Sequence, residues 1–597
     1  MLDKILNQFN SPNIQAISGL DATFLYGETP TSPMHVGSVV VIEGSLKFET
    51  FRQIILSRIH QIPKMRQRLV SVPLSMDYPY WVDDPEFDID MHLSHIALPQ
   101  PGGWQELRDT ASQIFSEHLD RSRPLWSFTF VEGLDSVSQV PKGSVAVISK
   151  IHHVAIDGVA GAGILSVLYD ISPKLKEIPA PKPYNPAPLP NELALIAKST
   201  VSFATNPLKF PKLITNTLSA TLKAGVLSRV QRLDPPPSPF SAPSTPLNGI
   251  ISSRRKWNAS ILSLERIKAL KNIMGTTLND VILAICAGAL RRYLLEKKKL
   301  PKKSLVALVP VSTRTEAEAN NAGNQISSML LQLATHIEDP IERLEVIHEN
   351  AMRGKAYQKA LGAKTLANMA EAVPFGLANQ AARLYSRFHL AENHKPVFNV
   401  LITNVPGPNF PLYINGHKVL SIMGMAPIID GMGLIITIFS YNGLVTISPT
   451  SDVKTMPDLD TFSRYLRESA NELEAAILKL EADKKEAAAS KVTTESPVDF
   501  FQRLETYFKK HPSAKKGKIQ IHVTGSMSDN WQIDFNVIPA TISEGQAENP
   551  DLVMTIRNDH LKRIAEGDLE METAIVQGRL KVEGDEELLK VLKMIHV

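Results

Sequence analysis

Three interruptions limit what this chain can fold into more than any other feature. The stretch "SPKLKEIPAPKPYNPAPLP" (172–190) can be neither helix nor interior strand, because proline fixes φ and lacks an N–H. It reads as an extended connector. "DPPPSPFSAPSTP" (234–246) is a second one. "LEAAILKLEADKKEAAASKVTTESP" (473–497) reads as a helix that fades into an Ala/Lys/Ser/Thr linker. The breaks predict blocks at 1–180 and 246–480, a connector at 181–245, a linker at 481–497 and a small domain at 498–597. A length of 597 residues calls for several domain-sized units, in agreement with that division.

Both long blocks mix strands and helices. "VGSVVVIEG" and "GSVAVISKI" read as strands in the first. In the second, "SLVALVPVST" and "GLIITIFSYNGLVTI" read as strands. "TTLNDVILAICAGALRRYL" reads as a helix, with Asn279, Ile282, Cys286 and Leu290 at near-helical spacing. In the last block "VDFFQRLETYF" puts Phe500, Phe501, Leu504, Tyr507 and Phe508 on one helical face. "KIQIHV" and "WQIDFNV" alternate as half-buried strands do. No heptads, short repeats or phosphate-cradling glycine fingerprint occur.

The chemistry-bearing stretch is "KIHHVAIDGVAGAGILS" (150–166). A strand ends on His152 and His153, a tight loop carries Asp157 where a helix N-cap would stand, and a small-residue helix follows. Successive strand residues point to opposite sides, so one histidine at most faces a given cavity. A histidine there can take a proton from an alcohol near neutral pH, an assistance worth about 10² to 10⁴ in rate. The alternative is a structural pair at a strand end, with Asp-Gly as an ordinary turn. Metal binding is disfavoured, since adjacent histidines diverge and no Cys/His cluster at ligand spacing completes a site.

Composition removes several classes. With 64 Lys+Arg against 61 Asp+Glu, the net charge of +3 is no footprint of a nucleic-acid binder. The single cysteine, Cys286, excludes an intrachain disulfide and reads as a buried, inert thiol in a reducing, cytoplasmic setting. "MLDKILNQFNSPN" has no signal-peptide pattern, and no apolar run reaches transmembrane length, so any membrane contact is expected to be peripheral. Residues 193–233 carry six basic and no acidic residues. They suit either an anionic membrane surface or two helices packed on the body with lysines in solvent.

H-H-x-x-x-D-G is shared by the CoA-dependent acyltransferase superfamily. Five further phrases, "LDATFLYGETPTSPMHVGSVVV", "RPLWSF", "TTLNDVILAICAGALRRYL", "LVPVSTR" and "NVLITNVPGPNFPLYINGHKV", follow one another in order. Together they resemble the bacterial wax ester synthase/diacylglycerol acyltransferase family over nearly all of residues 15–470. The resemblance implies an α/β fold of two chloramphenicol acetyltransferase-like halves meeting at a channel. It implies transfer of a long-chain acyl group from acyl-CoA, as co-substrate, to diacylglycerol or a fatty alcohol, with no permanently bound cofactor and no metal. It further implies His153 as general base, His152 and Asp157 as its support, and Gly158 as the residue that permits the turn. Pro124, Leu125 and Trp126 are implied to be structural or to line the channel. Asn279 and Asp280 are implied to open a helix near the site, for which capping is an equal explanation. Asn404, Pro406 and Gly407 look like a crossing between the halves. Arg314 suits a CoA phosphate or a structural carboxylate, and the lysines at 297–299 and 302–303 suit either such phosphates or solvent.

The last block resembles sterol carrier protein type two domains, on "NWQIDF", Gly567-Asp568 and "QGRLKVEGD". That implies a small α+β domain with an apolar lipid tunnel, or an appendage whose tunnel is closed. The competing functions are a condensation-type acyltransferase with another acceptor, for which no carrier motif is found, and a non-enzymatic lipid-binding or transfer protein.

Overall fold

The computed structural model describes residues 14–73, 77–156, 161–175, 177–196, 237–238, 240–312, 326–361, 394–492, 497–513, 515–525, 529–565 and 568–593. Asp157, Gly158, Arg314, Gly567 and most of the basic stretch at 193–233 lie outside the described residues. Two compact units divide the chain, Met1–Leu478 and Lys479–Val597.

The first unit is built on two large sheets. One has six strands in the order Tyr413–Ile414, His417–Met425, His35–Ile42, Val145–His152, Trp126–Glu132 and Leu93–Ala97. The central Val145–His152 strand alternates as its sequence requires. Val145, Val147 and Ile151 face a core with helix Phe48–Arg58, whereas Ala146 and Ile148 face a core with helix Trp104–Ser116. The other sheet runs Ile326–Gln332, Val306–Ser312, Val400–Pro406, Ile435–Tyr441, Leu444–Asp452 and Arg255–Trp257, with Ser260–Ser263 also paired to Leu444–Asp452. Asn442 and Gly443 turn its central hairpin, both at positive φ, which asparagine and glycine adopt most readily.

Helix Leu278–Glu296 is the core of this second half. Thirteen of its residues are buried, so it is apolar all round rather than amphipathic. Cys286 is fully buried there, and burial pushes its thiol up to about 12, so it is inert as expected.

The halves are not separate along the chain. The second block lends strand His417–Met425 to the first block's sheet, where it pairs antiparallel with His35–Ile42, Val419 opposite Ile42 and Met425 opposite Gly37. Residues 407–412 therefore cross from one sheet to the other. The proline connector is pinned to the first block by Tyr184, whose hydroxyl donates to the Arg66 carbonyl at 3.0 Å and whose ring lies under the Arg66 guanidinium.

Helix Leu459–Val492 differs from its expected end. It runs on through most of the stretch read as a linker, because alanine, glutamate and lysine propagate a helix as readily as they fill a spacer. The second unit has one five-stranded sheet, Thr541–Glu544, Asp529–Asp534, Lys518–Thr524, Leu552–Arg557 and Leu580–Gly584. Helix Pro497–Lys510 buries Phe501, Leu504 and Phe508 in that unit's core, as its spacing predicts. Its strand from "WQIDFNV" stops at Asp534, whose carboxylate accepts the Asn536 N–H at 2.8 Å and bends the chain away. A cavity of about 60 Å³ lies in this unit, lined entirely by apolar residues, among them Phe500, Leu504, Met554, Leu561 and Met571.

Candidate active site

The histidine motif folds as strand, single 3₁₀ turn, then helix. His152 is the last residue of strand Val145–His152, His153–Ala155 form the turn, and helix Gly161–Leu168 follows. The two histidines have different surroundings. His152 is buried, 1% exposed, and both its ring nitrogens are engaged. Nδ1 accepts the Val154 N–H at 3.2 Å, and Nε2 donates to Glu28 Oε2 at 3.0 Å. Those two bonds select the Nε2–H tautomer. Burial pushes its imidazole below the ordinary value, despite the neighbouring Glu28.

His153 is half-buried and stacks face to face on Phe24, with ring centroids 3.6 Å apart and planes 10° from parallel. Its N–H donates to the Met34 carbonyl at 2.9 Å. One helix, Gly19–Gly27, thus serves both histidines. Phe24 lies on it, and Glu28 is its C-terminal cap four residues later. Burial alone would raise the Glu28 carboxyl, but the His152 hydrogen bond and the Arg121 guanidinium outweigh it and hold the carboxyl at about 2. Arg121 donates Nε–H to the same Oε2 at 3.0 Å and makes a second, shorter contact through its terminal nitrogen.

The Pro124–Trp126 segment holds the strand end from the other side. Leu125, 1% exposed, accepts the His152 N–H at 2.9 Å and packs with Ala22 and Val154. Trp126 is buried, donates its indole N–H to the Met65 carbonyl at 2.7 Å, and stacks on His92. Pro124 and Trp126 also border a groove of about 440 Å³ whose wall includes Lys150. Lys150 is buried, and its ammonium donates to the Ile114 and Glu117 carbonyls at 3.0 and 2.9 Å. Burial pushes that ammonium down to about 8.

Asn279 and Asn404 come together on the second sheet's side, the Asn404 amide donating to Asn279 Oδ1 at 3.3 Å. Asp280 caps helix Leu278–Glu296 through the Thr277 N–H at 2.9 Å, as its place in the sequence suggests. The same oxygen accepts from His348 Nδ1 at 2.6 Å, a partner in helix Pro340–Leu361 that no local pattern announces. Lys297 pairs with Asp458 and lies over the Tyr293 ring, so that lysine serves the packing of two helices. Among the described residues, no group of three or more His, Cys, Asp or Glu side chains is placed to hold a metal ion.

The site sits where the halves meet. Ser32 donates to the Ile428 carbonyl at 2.8 Å, and Arg255 donates to the Thr31 carbonyl, tying the loop after Glu28 to the second block. A cavity of about 320 Å³ lies between helix Gly161–Leu168 and the crossing segment, walled by Leu165, Tyr169, Pro406, Phe410, Leu412 and Phe439. Gly407 is fixed there by sterics. A Cβ would meet the Ser440 carbonyl at 2.4 Å and the Phe439 ring at 2.7 Å. Gly407→Ala is therefore expected to cost about 1–3 kcal/mol. A melting temperature lower by several degrees would show it, and an unchanged one would mean that the crossing yields without strain.

A body of two mixed sheets, joined by a strand exchange, with a histidine pair at the end of a central strand defines an acyltransferase of the chloramphenicol acetyltransferase-like fold. The chain matches the wax ester synthase/diacylglycerol acyltransferase catalytic domain over residues 17–282 and the WS/DGAT C-terminal domain over 322–474. The SCP-2 sterol transfer family matches residues 508–596. A relative from Mycobacterium tuberculosis that carries the name diacylglycerol O-acyltransferase is 34% identical over 464 residues, 76% of this chain and 90% of that one. A second so named from the same species is 33% identical over 453 residues, 74% and 92% of the two chains. The solved wax ester synthase/diacylglycerol acyltransferase from Marinobacter aquaeolei is similar over 78% of this chain and all of that one, at 27% identity and a TM-score of 0.55. The chain belongs to the wax ester synthase/diacylglycerol acyltransferase family, and it adds a sterol-carrier-like unit at its C-terminal end.

Proposed function

We propose that the protein transfers a long-chain acyl group from acyl-CoA to the hydroxyl of diacylglycerol or a fatty alcohol, forming triacylglycerol or wax ester, with His153 as general base. The observation that carries the assignment is the commitment of His152: buried, with both ring nitrogens bonded, it leaves the proton-transfer role to its neighbour. A ring nitrogen of His153 takes the hydroxyl proton as the oxygen attacks the thioester carbonyl. The C–S bond then breaks, and the thiolate leaves with the proton returned from His153. Every proton is accounted for without an acyl-enzyme.

The apolar cavity beside helix Gly161–Leu168 suits acyl or alkyl chains, and its position at the junction of the halves suits entry of two substrates. The names of the mycobacterial relatives favour diacylglycerol as acceptor. The match of the C-terminal unit to the SCP-2 sterol transfer family, together with the apolar lining of its cavity, supports a lipid-holding role at a membrane or lipid-inclusion surface in the cytoplasm, for which the cavity of about 60 Å³ has to widen. Among the described residues, no single helix is long and apolar enough to cross a membrane.

The test is release of CoA thiol on mixing the full chain with palmitoyl-CoA and either dioleoylglycerol or hexadecanol, with the ester product identified. Ester formed stoichiometrically with thiol supports the reading. Thiol release that does not depend on an acceptor, or no turnover with either, sinks it.

A further inference from the structure

We propose that Glu28 is a positioning residue for acyl transfer, acting as the hydrogen-bond acceptor that fixes the turn carrying His153. The proposal rests on His153 being the base, and adds a residue that the motif itself does not contain. The route is a chain of contacts. Arg121 holds Glu28 Oε2. The same oxygen receives Nε2–H of His152 at 3.0 Å. The tautomer so selected leaves Nδ1 to accept the Val154 N–H at 3.2 Å, and that bond lies inside the His153–Ala155 turn. One turn earlier in the same short helix, Phe24 stacks on the His153 ring. Turn and ring are thus gripped by a single element, through side chains four residues apart.

The burial of the pair shows that this is more than a surface contact. His152 is 1% and the Glu28 side chain 5% exposed. If Glu28 is removed, the buried Nε2–H of His152 has lost its acceptor, and the ring can regain one only by turning or by changing tautomer. Either change withdraws Nδ1 from the Val154 N–H and lets the turn shift. A displacement of about 1 Å of a reacting group can cost on the order of 10²-fold in rate.

The geometry also says what property of Glu28 matters. His152 and Arg121 both use Oε2, so an amide oxygen in that place would accept the same bonds. Glu28→Gln is therefore expected to keep kcat within about fivefold, whereas Glu28→Ala lowers it about 10²-fold with KM for palmitoyl-CoA little changed. Hydrogen exchange supplies a readout that needs no turnover. In Glu28→Ala the peptide containing Val154 exchanges faster, while helix Leu278–Glu296 keeps its protection. Arg121→Met, at a half-exposed side chain that leaves the fold intact, gives a smaller loss in kcat and serves where Glu28→Ala does not fold.

Equal losses in Glu28→Gln and Glu28→Ala would overturn the acceptor role, since a charge would then be what counts. Unchanged kcat in Glu28→Ala, or in Arg121→Met where only that variant folds, would overturn it too, as would unaltered exchange around Val154. Failure of the acyl-transfer reading shows separately, as absence of turnover by the unmodified protein, and the exchange comparison still reports on the clamp.

Discussion

Replacing His153 by alanine is expected to lower kcat for acyl transfer by about 10² to 10⁴-fold, with little change in KM for the acyl donor. The size follows from the role. Without the imidazole, the alcohol must attack while still holding its proton or give it up to a far weaker base such as water. The substitution also removes the stack on Phe24, worth about 0.5–1.5 kcal/mol, so a modest fall in stability accompanies it and must be measured alongside. His153→Gln keeps polar bulk beside Phe24 without supplying a base, and its rate should fall as far as that of the alanine variant. CoA release by both variants, normalised to the folded fraction from thermal melts, decides the matter. Turnover close to that of the unmodified protein would place the base elsewhere.

Much of this site was legible because its parts are local. A run of β-branched residues before His152, the small residues after Asp157 and the apolar run after them define a strand, a turn and a helix between Val145 and Leu168. The structure has those elements in that order. The period-two rule separated the histidines into two environments before any partner was known. Asp280 stands at a helix start, where capping explains it as well as the family likeness does, and it caps helix Leu278–Glu296 through the Thr277 N–H.

What stayed hidden is tertiary. Glu28 stands 124 positions from His152, in a stretch whose one signal is its likeness to a family. The signal that could have found it is the four-residue spacing of Phe24 and Glu28, which means something only once that helix is set against the strand end. His348 is a partner for Asp280 through the packing of two helices, and a helix does not announce its neighbour. The strand exchange of His417–Met425 into the first sheet is likewise invisible, because alternation shows that a strand exists and not which strand it joins.

The second large effect expected is acid destabilisation of the first unit, beginning below pH 6.5. His35, His92 and His152 are all buried. Burial holds each imidazole below its ordinary value of 6.5, His35 well below it, where Lys150 adds to the effect. Each is neutral in the fold. Above pH 6.5 the unfolded chain is neutral at these positions too, so their contribution to stability is complete. As pH falls through 6.5 the unfolded histidines take up protons that the folded ones do not, and stability falls with them. One pKa unit of difference is worth about 1.4 kcal/mol. A histidine that stays neutral in the fold down to pH 5 therefore costs about 2 kcal/mol over that interval. Glu28 continues the trend in the same direction at lower pH, since its carboxyl lies near 2 in the fold against 4.5 unfolded, and its contribution disappears across that range. Burial is what resists protonation. His35 donates Nε2–H to the Phe115 carbonyl and His92 donates Nδ1–H to the Trp126 carbonyl, each at 2.9 Å, and both bonds favour the charged ring, but desolvation outweighs them. A second proton on His35 would go to Nδ1, which is buried without a partner. A proton added to His152 would go to Nδ1 and displace the Val154 N–H, so acid should loosen the turn under His153 before the unit unfolds. Thermal melts at pH 7.5 and 5.0, with hydrogen exchange around Val154 at both, would register this. A melting temperature that does not fall between those two values would mean that the buried histidines already carry protons in the fold.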